Sequence, residues 1–88
     1  MTVKETFHEI EEGDTVRFSH MGVSHDYTVE MINGTGEDKS IWFGLNLEGL
    51  ELVIINGKVS YEKRARAHPP GWTSHDVIKE LKIIKSSS

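Results

Sequence analysis

The stretch from Leu50 to Lys63, LELVIINGKVSYEK, predicts a β-hairpin centred on Asn56-Gly57. Both central residues of a type I′ turn need a positive φ, which asparagine and glycine tolerate better than other residues. Apolar runs flank this dipeptide on both sides, so the sequence predicts a two-residue loop with Ile55 opposite Lys58.

The two-residue loop also determines which side chains share a face of the hairpin. The face predicted to join the core carries Leu50, Leu52, Ile54, Val59 and Tyr61. The other face is mixed, and Val53 and Ile55 on it predict partial cover, with the C-terminal segment as the candidate element. The same register places Glu51 opposite Glu62, a like-charge pair that a nearby basic side chain or metal ion would stabilise.

Length and composition indicate a single small domain over residues 1–85, with a disordered tail at residues 86–88. The chain has no cysteine, which excludes disulfides, thiolate metal ligands and cysteine nucleophiles. Its first residues, MTVKETFHEIEEGD, are acidic and lack the apolar segment of a signal peptide. No apolar run approaches the ~20 residues that a bilayer span needs. We therefore expect a soluble, cytoplasmic protein with no membrane contact.

Charge is unevenly distributed. Residues 1–56 hold three basic and eleven acidic residues, 3 − 11 = −8, whereas residues 57–88 hold seven basic and three acidic ones, 7 − 3 = +4. Such asymmetry is typical of a polyanion-binding surface or of two halves that neutralise each other in the fold. The overall net charge of −4 favours the second interpretation, because it opposes attraction to nucleic acid.

Before the hairpin, the sequence predicts one short helix and three strands. Thr2 to Gly13 has capping-box spacing at Thr2 and Glu5, although an edge strand from Thr6 to Ile10 is an alternative. The three strands are predicted at Thr15–Ser19, His25–Ile32 and Lys39–Leu47, with Trp42 facing outward on the third.

After the hairpin, RARAHPPGW at residues 64–72 predicts a connector because of its two prolines and its glycine. Thr73 to Lys85 predicts a helix, although its last residues, Ile83 to Lys85, could instead form a strand. The helical interpretation rests on an i, i+1, i+4, i+7 spacing of Val77, Ile78, Leu81 and Ile84.

The predicted fold class is α+β. It is a small antiparallel sheet or partly closed barrel of about five strands, with a short N-terminal helix or edge strand and a C-terminal helix. EEGDTVRF at residues 11–18 resembles the first strand of small SH3-like barrels, where an acidic Gly-Asp turn precedes a Val-x-Phe strand. The resemblance implies an SH3-like barrel, but the chain lacks the paired-aromatic motif of SH3 peptide-binding domains.

Catalysis is not predicted, and neither is a cofactor. The chain has no G-x-S-x-G motif, no P-loop and no dinucleotide-binding glycine pattern, and its five histidines match no zinc-site spacing. The acidic loop NGTGED offers oxygen donors for weak calcium or other divalent-cation binding, although a solvated hairpin turn is the favoured explanation of the loop. Its candidate ligands are Asn33, Thr35, Glu37 and Asp38.

Two kinds of binding partner remain. Lys58 to Trp72 interleaves basic and aromatic residues, a pattern that single-stranded nucleic-acid-binding proteins use to follow phosphates and stack bases. Exposed tryptophan and arginine are equally typical of protein–protein contacts. The principal hypothesis is a non-enzymatic binding or adaptor module for a protein partner, in an oligomeric state that the sequence does not indicate. Its candidate binding residues are Trp42, Lys63, Arg64, Arg66, His68 and Trp72.

Overall fold

The computed structural model describes residues 2–20, 22–45, 48–65 and 73–87. These ranges contain one α-helix, one 3-10 turn at Gly36–Asp38 and eight strands. In chain order the elements are α1 (Val3–Glu9), β1 (Thr15–His20), β2 (Val23–Thr28), β3 (Met31–Asn33), β4 (Ser40–Leu45), β5 (Glu48–Ile55), β6 (Lys58–Ala65), β7 (Thr73–Val77) and β8 (Leu81–Lys85).

The strands form two antiparallel sheets. One is three-stranded in the order β2-β1-β8, and the other is a five-stranded meander in the order β3-β4-β5-β6-β7. The prediction of a small, antiparallel, β-rich domain is confirmed. The described strands do not close into a barrel, so the finer prediction of an SH3-like barrel is not confirmed.

The central hairpin has the predicted register. Asn56 and Gly57 both adopt positive φ, 52° and 77°, as a type I′ turn requires. The pairs run from Ile55 with Lys58 at the turn to Glu51 with Glu62 further along. The predicted core face is buried at Leu50, Leu52, Val59 and Tyr61, and Ile54 packs against it.

The mixed face of the hairpin is partly covered. Ser60 is buried there, and Val53 and Ile55 are half-buried. The C-terminal segment does not lie across this face as expected. Instead, β7 pairs beside β6, with Val77 next to Ser60.

The predicted helix from Thr73 to Lys85 is wrong. This segment forms β7 and β8, which belong to different sheets. Leu81 and Ile83 point to the core while Lys82 lies on the opposite face, so the period is that of a strand. Ile78, between the two strands, is also buried, and its amide donates to the carbonyl of Val59. The alternative of a terminal strand at Ile83–Lys85 is confirmed within the longer β8.

The predicted strand His25–Ile32 divides into β2 and β3. At the break, the amide of Val29 donates to the carbonyl of Asp14, and the carbonyl of Val29 accepts from the amide of Gly13. These bonds hold Val29 against the turn that precedes β1, and its side chain is buried. The chain therefore crosses from one sheet to the other at this residue.

The N-terminal helix is confirmed in a shorter form, Val3–Glu9. The capping box is present: the Thr2 hydroxyl accepts from the amide of Glu5, and the Glu5 carboxylate accepts from the amide of Thr2. The helix buries Phe7, which joins a core shared by both sheets. The buried apolar residues are Phe7, Ile10, Val16, Phe18, Val29, Ile41, Leu50, Leu52, Val59, Tyr61, Ile78 and Leu81.

A buried lysine fastens the end of α1 to the residues before β4. The Nζ of Lys39 donates to the carbonyl oxygens of Phe7 at 2.9 Å, His8 at 3.2 Å and Ile10 at 2.9 Å. These carbonyls lie at the end of the helix, where no intrahelical donor is available. Lys39 is only 9% exposed, so its ammonium replaces water as their hydrogen-bond donor.

A buried aspartate ties the turn before β1 to residue 87. The Asp14 carboxylate accepts from the amide of Glu11 at 2.9 Å and from that of Ser87 at 2.8 Å. The domain boundary at residue 85 stays a prediction, but Ser87, which was expected in the disordered tail, is bound to the body of the domain.

Candidate functional site

The strand register aligns five side chains in one row across the outer face of the five-stranded sheet. Met31 of β3 lies opposite Trp42 of β4, which lies opposite Glu51 of β5. Glu51 lies opposite Glu62 of β6, which lies opposite His75 of β7. Directly opposed residues project from the same face of a sheet. The row is therefore apolar at one end, acidic at its centre and imidazole-bearing at the other end.

The apolar end of the row forms a groove. Trp42, Met31, Glu12 and Glu30 line it, and its volume is about 410 Å³. We call it the Trp42 groove. Met31 is 43% exposed, and Trp42 is half-buried. Within the described ranges, the indole of Trp42 has no aromatic neighbour and no cation over its ring. Because Trp42 is only half-buried, part of its surface is accessible to a partner.

Backbone hydrogen bonds position the two acidic residues of the groove. The amide of Ile32, in the edge strand β3, donates to the Oε2 of Glu12 at 3.0 Å. The amide of Glu30 donates to the carbonyl of Trp42 at 2.8 Å. Glu12 thus occupies an edge position that an incoming strand would otherwise use, and both residues stand beside the tryptophan.

The predicted calcium ligands lie beside α1. Asn33 ends β3, Thr35 precedes the 3-10 turn, and Glu37 and Asp38 lie within it. The Oε1 of Glu37 is 2.9 Å from the Nζ of Lys4, and its Oε2 is 3.9 Å from the Nε2 of His8. Among the described residues, no three His, Asp or Glu side chains are grouped to hold a metal ion. The calcium hypothesis gains no support from this arrangement.

A second, wider groove separates this loop from α1. It has a volume of about 560 Å³, and its lining includes His8, Glu11, Thr35 and Lys39. The ammonium of Lys39 is directed at three backbone carbonyls, so it is already committed to the fold. We therefore regard this groove as a consequence of how α1 is fastened.

The predicted basic surface is described only in part. Arg66, His68 and Trp72 lie outside the described residues. Lys63 lies opposite Leu50 on the core-facing side of β6. The backbone of Arg64 follows it in β6, paired with Gly49 and Thr73. The nucleic-acid hypothesis stays a prediction, because most of its residues fall outside the described ranges.

Sequence reasoning identified Trp42 but missed the rest of its groove. The predicted strand His25–Ile32 includes both Glu30 and Met31, but in the structure β2 ends at Thr28, Glu30 lies between the strands and Met31 begins β3. The sequence places Glu12 directly before the acidic Gly-Asp turn of EEGDTVRF and does not connect it with Trp42. The signal for Met31 was available: treating Gly34 to Lys39 as the loop of a hairpin pairs Asn33 with Ser40 and sets Met31 opposite Trp42.

Comparison with protein-family models, with curated proteins and with solved structures found no match for this chain. The longest described α-helix is α1, with seven residues, and no helix in the described ranges is long and apolar enough to cross a bilayer. Functional inference therefore rests on the outer face of the five-stranded sheet.

Proposed function

We propose that this chain is a non-enzymatic binding module that contacts a protein partner through the Trp42 groove. The observation that carries the proposal is the pair Met31 and Trp42, which lie side by side on an outer sheet face rather than in the core. Tryptophan is the residue type most enriched among those that dominate binding energy at protein interfaces.

The surroundings of the pair favour a protein ligand over nucleic acid at this place. Two carboxylates, those of Glu12 and Glu30, line the groove with Trp42. A phosphate backbone approaching this tryptophan would meet like charge, whereas a polypeptide can present apolar or cationic side chains. The rigid antiparallel sheet beneath holds the groove without a cost of ordering a loop.

A display selection tests the proposal. A library of random dodecapeptides is selected on the immobilised chain and counter-selected on Trp42→Ala. Val23→Ala serves as the matched control, because Val23 is an exposed apolar residue on β2, in the other sheet. Circular dichroism and urea unfolding of each variant establish that the fold is retained.

We expect peptides that bind the natural sequence and Val23→Ala equally and lose at least about tenfold in affinity on Trp42→Ala, which corresponds to ~1.4 kcal/mol. Selection that yields no peptide dependent on Trp42, with all three proteins folded, would overturn the assignment of this groove as the binding site.

A further inference from the structure

We propose that the Trp42 groove receives an arginine or lysine side chain from a basic segment of the partner protein. This inference rests on the proposed function and adds to it the chemistry of the ligand. It draws on three independent properties of the groove: the charge of its walls, the half-buried indole of Trp42 and the exposed side chain of Met31.

The charge of the walls is of one sign. Among the residues that the structure describes, the ionisable ones that line the groove are Glu12 and Glu30, and both are acidic. The four lining residues all come from residues 1–56, the part of the sequence with a net charge of −8. An acidic partner segment would be repelled, and a purely apolar one would have to desolvate both carboxylates without replacing their bonds to water.

The indole of Trp42 supplies a surface that favours cations. The π-face of tryptophan attracts a guanidinium or ammonium group within about 6 Å of the ring, more strongly than the rings of tyrosine or phenylalanine. In the described residues, the one cation placed over an aromatic ring is Lys39, which lies over Phe7. The ring of Trp42 therefore has no cation of the described residues over it.

Met31 completes the fit. Arginine and lysine carry three or four methylenes before their charge, and these pack against apolar surface while the charged group stays near water or carboxylate. The exposed side chain of Met31 lies directly opposite Trp42 across the strands. The groove therefore offers an apolar surface for the stem, an aromatic face for the cation and carboxylates to pair with it.

Edge pairing is a weaker alternative at this place. A partner strand adding to β3 would need the outward amide of Ile32, which already donates to Glu12. The partner segment is thus expected to cross the outer face with its side chain inserted, rather than to extend the sheet.

Synthetic peptides of one length test the inference. The first has the sequence Gly-Ser-Arg-Ser-Gly repeated twice, the second replaces each arginine with citrulline, and the third replaces it with glutamate. Citrulline keeps the length and planarity of arginine and removes its charge. Binding is measured by calorimetry, and its position is followed through the indole N–H of Trp42 and the amides of Glu12 and Glu30 in ¹⁵N spectra.

The variants separate charge from shape. Glu12→Gln keeps an oxygen that can accept from the amide of Ile32, and Glu30→Gln removes a second carboxylate from the groove. Glu80→Gln is the matched control, because it removes an exposed carboxylate that lies away from Trp42. We expect the arginine peptide to lose about twofold to fivefold in affinity on each groove substitution and nothing on Glu80→Gln.

Trp42→Leu, which keeps an apolar side chain, tests the contribution of the indole. It should lower the affinity for the arginine peptide by about twofold to fivefold.

The outcomes distinguish this inference from the proposed function. Binding of the arginine peptide alone, with shifts centred on Trp42, would support it. Equal binding of the citrulline peptide at Trp42 would overturn the cationic ligand and leave the protein-binding function intact. An arginine peptide that fails to shift Trp42 would also overturn it, and the display selection would then decide separately whether the groove binds peptides at all.

Discussion

Lys39 and Ile10, 29 positions apart in the chain, meet where α1 ends, with the Nζ of Lys39 2.9 Å from the carbonyl oxygen of Ile10. The same ammonium also bonds to the carbonyls of Phe7 and His8, and it lies 5.5 Å from the centre of the Phe7 ring. A positive charge at a helix C-terminus interacts favourably with the helix dipole. This contact joins α1 to the five-stranded sheet.

Replacing that lysine should destabilise the domain. We expect Lys39→Met to lower the free energy of unfolding by about 2–3 kcal/mol, because it leaves buried carbonyls without a donor. Lys4→Met is the control: Lys4 is an exposed lysine that pairs with Glu37, and its loss should cost less than ~1 kcal/mol. Urea unfolding measures both, and equal losses would contradict the role assigned to Lys39.

The free energy of unfolding should decrease as the solution becomes more acidic, and Asp14 should contribute to this decrease. Burial raises the pKa of Asp14, but hydrogen bonds from Glu11 and Ser87 together with the charge of Lys39 outweigh it, so the pKa lies below its usual 3.8. A carboxyl whose pKa is lowered by folding stabilises the folded state above the unfolded pKa, and this contribution disappears as pH falls through the folded pKa.

We therefore expect Asp14→Asn to lower the free energy of unfolding by about 1–3 kcal/mol at pH 7, because one of the two amides loses its acceptor. The difference from the natural sequence should shrink as the pH falls below 3.8. Asp38→Asn, at an exposed position in the 3-10 turn, is the control and should change the free energy of unfolding little at pH 7. A difference for Asp14→Asn that stays constant from pH 7 to pH 2.5 would refute the linkage.

Two glycines with similar backbone conformations should respond differently to alanine. Gly13 has φ +89° and Gly57 has φ +77°, so an L-residue at either position costs about 1–2 kcal/mol. A Cβ on Gly57 would meet open space, whereas one on Gly13 would lie 2.9 Å from the Cβ of Ser87. Thermal unfolding should show the larger loss of stability for Gly13→Ala. In a chain that already carries Ser87→Gly, the loss of stability caused by Gly13→Ala should approach the loss caused by Gly57→Ala.

Neighbouring residues of β5 test the alternation that organises the hairpin. Leu52 is fully buried, so Leu52→Ala should cost about 2–5 kcal/mol through lost burial and the cavity that remains. Val53, on the opposite face, is half-buried, and Val53→Ala should cost about 1 kcal/mol or less. Comparable losses measured in urea would mean that both faces of the hairpin are equally packed.

The part of the fold that local chemistry specifies could be predicted from the sequence. Asn56-Gly57 determines a turn type, the turn determines the register, and the register determines which faces are buried. The cap of α1 is equally local, since Thr2 and Glu5 bond to each other's backbone. In both cases the interacting residues are close in sequence, and their geometry leaves few alternatives.

The C-terminal segment could not be predicted in this way, because its apolar spacing satisfies both periods. Ile78 and Leu81 are buried under either interpretation, and the strand is selected by pairing of β8 with β1, far away in the chain. The Trp42 groove has the same origin: it combines Glu12 from the first turn with Met31 and Trp42 from β3 and β4. Tertiary contacts of this kind override local preference, and the sequence of one segment alone does not predict them.

The pairing of β1 with β8 also has a consequence for the order of assembly. Arg17 lies next to Lys82, 82 − 17 = 65 positions later, whereas the other neighbour of β1 is β2, the next strand. At about 5–20 residues per second, a ribosome needs about 3–13 s to make the residues between them. During that interval a nascent chain can pair β1 with β2. The other edge of β1, and part of the apolar face that carries Val16 and Phe18, stay exposed until β8 has been made. The central hairpin can form first, and the three-stranded sheet is completed last, so aggregation during synthesis is most to be expected at β1.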